Sequence, residues 1–306
     1  MEAQNTQRYL WMAIFSAIFF GTIGSIAQYA AVAPEAITFY RLFFGAVLML
    51  IYLVFSRQLR VLRCWPSWAV LLNGGFLAGF ILFYISAMQY TSMANAILVI
   101  YLAPVVTAVF AHFFMSERLN LPILGLIFLA LLGFLMILEF RLTLDGASDE
   151  FKGLLLALGG LACYSGFILI NRVIPSRVPV LTRSWYQMLV GALLVAPWLL
   201  GMPQDYSLGQ WGWLWLAGLV PGFLGIFLAV VALRSIPAAT FGTLAYLEPI
   251  TVIVLGWVLF AQSLTLLQLA GCALIIGSGI AQAAITHKRA RALQLTLRDR
   301  SPAREI

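Results

Sequence analysis

The chain has 306 residues, 63% of them apolar and only 9% charged, with a mean hydropathy of +0.99 and a formal net charge of +7. Soluble domains carry about 25% charged residues to cover their surface, so this composition excludes a water-soluble fold and makes lipid the solvent. Cys64, Cys163 and Cys272 are far apart, and His112 and His287 are the two histidines; these spacings exclude a disulfide framework and a thiolate or histidine metal centre, so no metal, cofactor or catalytic group is expected.

A helix needs about 20 apolar residues to cross the hydrocarbon. Cutting the chain at charges, prolines and polar clusters predicts ten spans, over residues 10–31, 35–56, 67–90, 93–115, 120–139, 152–172, 178–200, 210–233, 239–261 and 266–286. The runs are apolar on both parities, whereas barrel strands alternate, so the expected fold is an all-α polytopic membrane protein. Short connections at Gln89 to Ser92, Ser116 to Asn120 and Gln262 to Thr265 predict tight helical hairpins in one bundle. The first span ends in Ala31-Val32-Ala33 but is longer than a signal-peptide core and is followed by Pro34, so it is kept as a helix of the protein.

Placing the N-terminus inside puts fifteen of the eighteen Lys and Arg residues on one side, from Arg8 through Arg57, Arg60, Arg63, Arg118, Arg172, Arg177, Arg183 and Arg234 to the six in the tail after His287. The other side keeps Arg141 and Lys152, with Arg41 near the outer end of the second span, and is otherwise acidic. Both termini are therefore expected in the cytoplasm by the positive-inside rule, and the charge itself does not call for nucleic acid. Trp65, Trp68, Trp198, Trp211, Trp213 and Trp215 lie near span ends, as an interfacial belt would.

The second half repeats the first. Tyr101-Leu102-Ala103-Pro104 returns 145 residues later as Tyr246-Leu247-Glu248-Pro249; at an offset of 146, Tyr40, Gly45 and Ala46 return as Tyr186, Gly191 and Ala192, and Gly125 and Gly133 as Gly271 and Gly279. Five spans is an odd number, so the copies are expected to be inverted, an arrangement characteristic of secondary transporters that work by alternating access. The resulting division is a cytoplasmic N-terminus (1–9), a first five-helix repeat (10–139), a periplasmic linker (140–151), a second repeat (152–286) and a basic cytoplasmic tail (287–306).

Pro104 and Pro249 fall in the middle of the fourth and ninth spans, where each removes a helical hydrogen bond; matched breaks point to a binding centre and to gating. Glu248 is the one carboxylate placed deep in the membrane. It either binds a substrate ammonium, exchanges a proton, or sits protonated against backbone. Tyr84, Asn95, Tyr101, Tyr164, Trp185 and Tyr246 are the aromatic and polar groups expected to line a cavity for an amphiphilic molecule. His112 is read as a packed or interfacial imidazole and Arg41 as snorkelling to the outer surface.

At the paired Tyr-Leu-x-Pro segments the sequence resembles the drug/metabolite transporter superfamily and, within it, the ten-span EamA-type exporters. The first copy continues to Glu117 and Leu119-Asn120, the second to Leu264-Thr265 with Gln262 where an acid is common. The resemblance is strongest to the bacterial aromatic amino acid and paraquat exporters. It implies export of aromatic and other neutral amino acids, such as phenylalanine, tyrosine, tryptophan, methionine and threonine, across the bacterial inner membrane by a monomer. The alternatives are an exporter of cationic drugs or other small metabolites and, from another class, a membrane sensor or enzyme.

Overall fold

The computed structural model describes residues 2–63, 66–91, 93–115, 117, 119–140, 148–202 and 204–299. Cys64, Trp65, Ser92, Ser116, Arg118, Arg141, Asp145, Arg300, Arg304 and most of the expected linker at 140–151 lie outside the described residues. The described chain is helical and without strands: α1 (Glu2–Ala30), α2 (Pro34–Phe55), a 3-10 turn (Leu59–Arg63), α3 (Trp68–Ala87), α4 (Met93–Ile100), α5 (Ala103–Phe114), α6 (Leu121–Ile137), α7 (Ser148–Val173), α8 (Val180–Val195) with a 3-10 turn at Ala196–Leu199, α9 (Leu208–Ala217), a π-helical turn (Gly218–Leu224), α10 (Gly225–Ser235), α11 (Ala238–Ala245), α12 (Leu247–Phe260) and α13 (Leu266–Asp299). Among the described residues, eight stretches are helical, long and apolar enough to cross a membrane, and Leu121–Ile137 is a shorter apolar helix of 17 residues. The bundle turns apolar side chains outward, as a protein dissolved in lipid does: Phe55, Trp68, Phe113, Leu208 and Leu266 are all largely exposed.

Local chemistry sets the helix ends. Prolines occupy the first turns of α2, α5 and α6, where the missing N–H costs nothing. Asn120 caps α6 by accepting the Ile123 N–H at 3.3 Å, and Ser207 and Gln210 close a reciprocal capping box on α9. The fourth and ninth predicted spans are each two helices: α4 gives way to α5 across Tyr101 and Leu102, and α11 to α12 at Tyr246. The eighth contains a wide π-turn around Pro221, which lacks the N–H that a regular α-turn would use. The last helix runs on to Asp299, well past the predicted end at 286, because the stretch after His287 is rich in Ala, Leu, Arg and Gln and has no Gly or Pro.

Helix contacts recur at the offset of the sequence repeat. A methyl group on Gly45 of α2 would stand 2.9 Å from the Met188 sulfur of α8, and one on Gly191 of α8 would stand 3.0 Å from Leu42 of α2. Adding 146 to Gly45 and Leu42 gives Gly191 and Met188, so one contact is the counterpart of the other. α6 and α13 run antiparallel: Gly133 lies against Leu274 and Ile275, while Ile137, one turn further on, lies against Gly271. α5 and α11 cross where a methyl on Gly242 would meet Pro104 at 2.8 Å. Small residues at such crossings let the backbones close in, which is the main attraction available between helices in lipid.

The end that carries the basic residues is tied by one polar node. Glu117 accepts from Nε and Nη2 of Arg172 at 2.9 and 2.6 Å and from the Ala238 N–H at 2.9 Å; Nη1 of Arg172 donates to the carbonyls of Leu233 and Arg234 at 3.2 and 3.3 Å. This joins the α5–α6 turn to the ends of α7 and α10 and the start of α11. At the opposite end the Tyr40 hydroxyl lies 2.8 Å from Gln204 Oε1, and the Gln210 amide donates to the Ala30 carbonyl at 3.1 Å.

Candidate functional site

The two helix breaks meet. Tyr246, the repeat counterpart of Tyr101, donates its hydroxyl hydrogen to the Tyr101 carbonyl at 2.5 Å, and the two rings lie 5.7 Å apart with Phe134 against both. The acceptor is explained by the backbone. In a continuous helix the Tyr101 carbonyl would receive the Val105 N–H, but that N–H bonds Leu102 at 3.0 Å, and Pro104 has none to offer Ile100. Both prolines are buried just past the breaks, Pro104 in the first turn of α5 and Pro249 in the first turn of α12.

Glu248 is the second residue of α12, so its carboxylate stands at the N-terminal end of a half-helix, where the peptide dipoles favour negative charge. Tyr101, Tyr84 and Tyr164 lie within electrostatic reach of this carboxylate. Phe80 stacks on Tyr164 at 4.9 Å and Phe134 on Tyr101 at 4.5 Å, which backs the tyrosines with further rings. The backbone of Glu248 is held by α1: a methyl on Gly21 would stand 2.7 Å from the Glu248 carbonyl oxygen. Glu248, Tyr84 and Tyr164 are each partly accessible, so the group borders open space rather than a sealed core.

Of the residues expected to line the pathway, the structure thus gathers Tyr84, Tyr101, Tyr164, Tyr246 and Glu248. Asn95 lies elsewhere, near the start of α4, where its amide donates to Glu150 Oε1 and to the Thr91 hydroxyl, both at 3.2 Å. Trp185 is set early in α8, edge-on to Tyr186 at 4.8 Å and packed on the main core. Three other features complete the surroundings. Phe20, beside Gly21, carries the Arg41 guanidinium at 5.3 Å from its ring centroid, so Arg41 turns inward instead of snorkelling out. Gly222, in the π-turn, lets that turn sit directly on the Arg41 carbonyl. Arg183, fully buried, donates to the carbonyls of Val178, Asn171, Ile174 and Pro175 and so caps the end of α7. His112 Nδ1 accepts the Leu119 N–H at 3.2 Å and shapes the turn before α6. The Gly218-x-x-Pro221-Gly222-x-x-Gly225 run was the available signal for the wide turn.

A helical bundle with apolar walls, crossed broken helices and a carboxylate facing tyrosines at the break defines a polytopic membrane protein with an internal polar site. The chain belongs to the EamA-like transporter family, which matches residues 7–139 and again 151–281. It is therefore a transporter of the drug/metabolite superfamily. It is 26% identical over 277 residues to the uncharacterised transporter YwfM of Bacillus subtilis (strain 168), covering 88% of this chain and 91% of that one. It is 28% identical over 229 residues to the aromatic amino acid exporter YddG of Ancylobacter novellus (74% and 78% covered). It is 27% identical over 223 residues to the threonine/homoserine exporter RhtA of Escherichia coli K12 (71% and 70% covered). A solved crystal structure shares the fold with a TM-score of 0.80 at 22% identity, over 91% of this chain and 98% of that one.

Proposed function

We propose that the protein is a monomeric secondary transporter that exports aromatic and other neutral amino acids, among them phenylalanine, tyrosine, tryptophan, methionine and threonine, across the bacterial inner membrane by alternating access. Its ten spans form two inverted five-helix repeats with both termini in the cytoplasm. The contact of Tyr101 with its own repeat counterpart Tyr246, beside Glu248, carries the reading. A two-fold axis in the membrane plane brings related residues together, and the matched Gly45–Met188 and Gly191–Leu42 contacts and the antiparallel run of α6 and α13 support it.

In this mechanism the substrate ammonium rests on the Glu248 carboxylate at the head of α12, and its side chain lies among Tyr84, Tyr101 and Tyr164. Pro104 and Pro249 keep the two helices broken, so that α5 and α12 can tilt without rupturing a continuous ladder. Opening toward the cytoplasm breaks the Glu117–Arg172 node, and opening outward separates Tyr40 from Gln204. Glu248 also offers the group on which a counter-moving proton would ride. Asn95 and Trp185 support helix positions. The substrates named for two relatives, aromatic amino acids and threonine or homoserine, favour amino acid cargo.

Efflux of radiolabelled phenylalanine from cells tests the assignment. Tyr101→Ala, Tyr246→Ala and Glu248→Gln each lower the rate at equal protein level, and unchanged rates would remove these residues from the site. An acid facing tyrosines also fits an organic cation. That second reading gains if methyl viologen competes for the site while amino acids do not.

A further inference from the structure

Arg41 of α2 and Arg183 of α8 both lie within the bundle, and they are treated in opposite ways. Arg183 spends its guanidinium on four backbone carbonyls. Arg41 closes no hydrogen bond with another side chain or carbonyl among the described residues, and its Nε is buried without a partner. A cation kept in a lipid-surrounded bundle without a spent donor is costly, and such groups mark a ligand path.

The surroundings fix where the free donors sit. The Phe20 ring carries one face of the guanidinium. Phe20 is held by Gly225, where a methyl would stand 2.8 Å from the ring, and the adjoining Gly21 packs on the Glu248 carbonyl. Arg41 is therefore on one flank of α1, against Phe20, and Glu248 on another, against Gly21. No ion pair closes between Arg41 and Glu248 among the described residues. The repeat counterpart of Arg41 is Gln187, whose amide donates to Asn171 at 3.0 Å, so the cation exists in one half alone.

We infer that Arg41 is the receptor for the substrate's carboxylate, facing Glu248 as receptor for its ammonium, so that the site selects free α-amino acid zwitterions over amines and amides of the same side chain. This rests on the amino acid reading above and adds the determinant of substrate class. A guanidinium suits the task because its planar fork presents two parallel donors to one carboxylate. Phe20 stands against the guanidinium, 5.3 Å from its ring centroid, and the buried Nε has no hydrogen-bond partner.

Counterflow in liposomes of purified protein, with labelled phenylalanine and with unlabelled phenylalanine or phenylalaninamide as competitor, tests the inference. The amide keeps the ring and the ammonium and loses the carboxylate. Wild type is expected to prefer phenylalanine by roughly 10- to 100-fold, the range of a charge-assisted hydrogen-bonded pair. Arg41→Gln is expected to bring that ratio close to one by weakening phenylalanine while leaving the amide as it was. Arg41→Lys, which keeps the charge without the fork, should fall between, and it serves if the glutamine variant does not fold. A merely structural Arg41 would lower both competitors alike and leave the ratio intact, which would overturn the inference. Equal competition by the two ligands in wild type would also overturn it while amino acid transport stands. Failure of wild type to move phenylalanine at all would sink the transport reading and this inference with it.

Discussion

Replacing Tyr246 with Phe removes one atom from the crossing of the broken helices and leaves both aromatic contacts in place. The hydroxyl lost is the donor to the Tyr101 carbonyl at 2.5 Å, and the backbone offers that carbonyl nothing else, since the Val105 N–H is committed to Leu102. Stranding a buried acceptor costs about 1–3 kcal/mol in soluble proteins. Side-chain hydrogen bonds between membrane helices average nearer ~0.6 and reach ~1.7 kcal/mol, because the unfolded helices find other partners in the bilayer. Here the Val105 N–H that would serve the Tyr101 carbonyl is held by Leu102, so the cost should lie toward the upper end, about 1.5 kcal/mol or roughly a tenfold shift in the unfolding constant. SDS titration of purified protein in mixed micelles, followed by tryptophan fluorescence, measures it. Tyr164→Phe is the control: that hydroxyl makes no hydrogen bond among the described residues, so its loss should cost well under ~0.5 kcal/mol. Equal costs for the two variants would refute the reasoning that the break creates the need for Tyr246.

Three further outcomes follow from the packing. Gly222→Ala places a methyl on the Arg41 carbonyl and should cost about 1–3 kcal/mol by overpacking, whereas Gly277→Ala, with nothing within 4 Å, should be neutral or stabilising by up to ~1 kcal/mol; thermal unfolding in detergent compares them. Glu117→Gln leaves the Arg172 cation, only 20% exposed, without its charged partner, and should lower stability by about 1–2 kcal/mol in the same scan. Arg183→Ala strips donors from carbonyls at the end of α7 and should cost at least ~2 kcal/mol, while transport per folded molecule stays at the wild-type level.

The membrane class and the helical breaks were legible because they depend on features that a single sequence carries: long apolar runs, matched prolines, and a Tyr-Leu-x-Pro motif found twice. Tyr101, Tyr246 and Glu248 could be found for the same reason, since they sit in that motif. Asn95 is turned toward Glu150, and Trp185 lies edge-on to Tyr186 on the cluster that also carries Tyr164, contacts that no hydropathy reading specifies. Arg41 was misread because depth along a helix says nothing of which flank it occupies. Its inward turn depends on Phe20, itself fixed by Gly225 from a distant helix, and on the π-turn at Gly222. The Glu117–Arg172 node is equally non-local, joining residues 55 apart that meet only once the two halves pack together.

The most direct test of transport through the Glu248 site is flux in liposomes that contain only the purified protein, with labelled phenylalanine, methionine and threonine, with and without an imposed pH gradient. Wild type should accumulate or exchange all three, and Glu248→Gln should lower the flux at least about tenfold through loss of a charge-assisted contact to the ammonium. Uptake that requires the gradient would add proton exchange to the role of Glu248, and uptake without it would confine that residue to binding. Flux of none of the three amino acids, or full flux in Glu248→Gln, would contradict the proposed function.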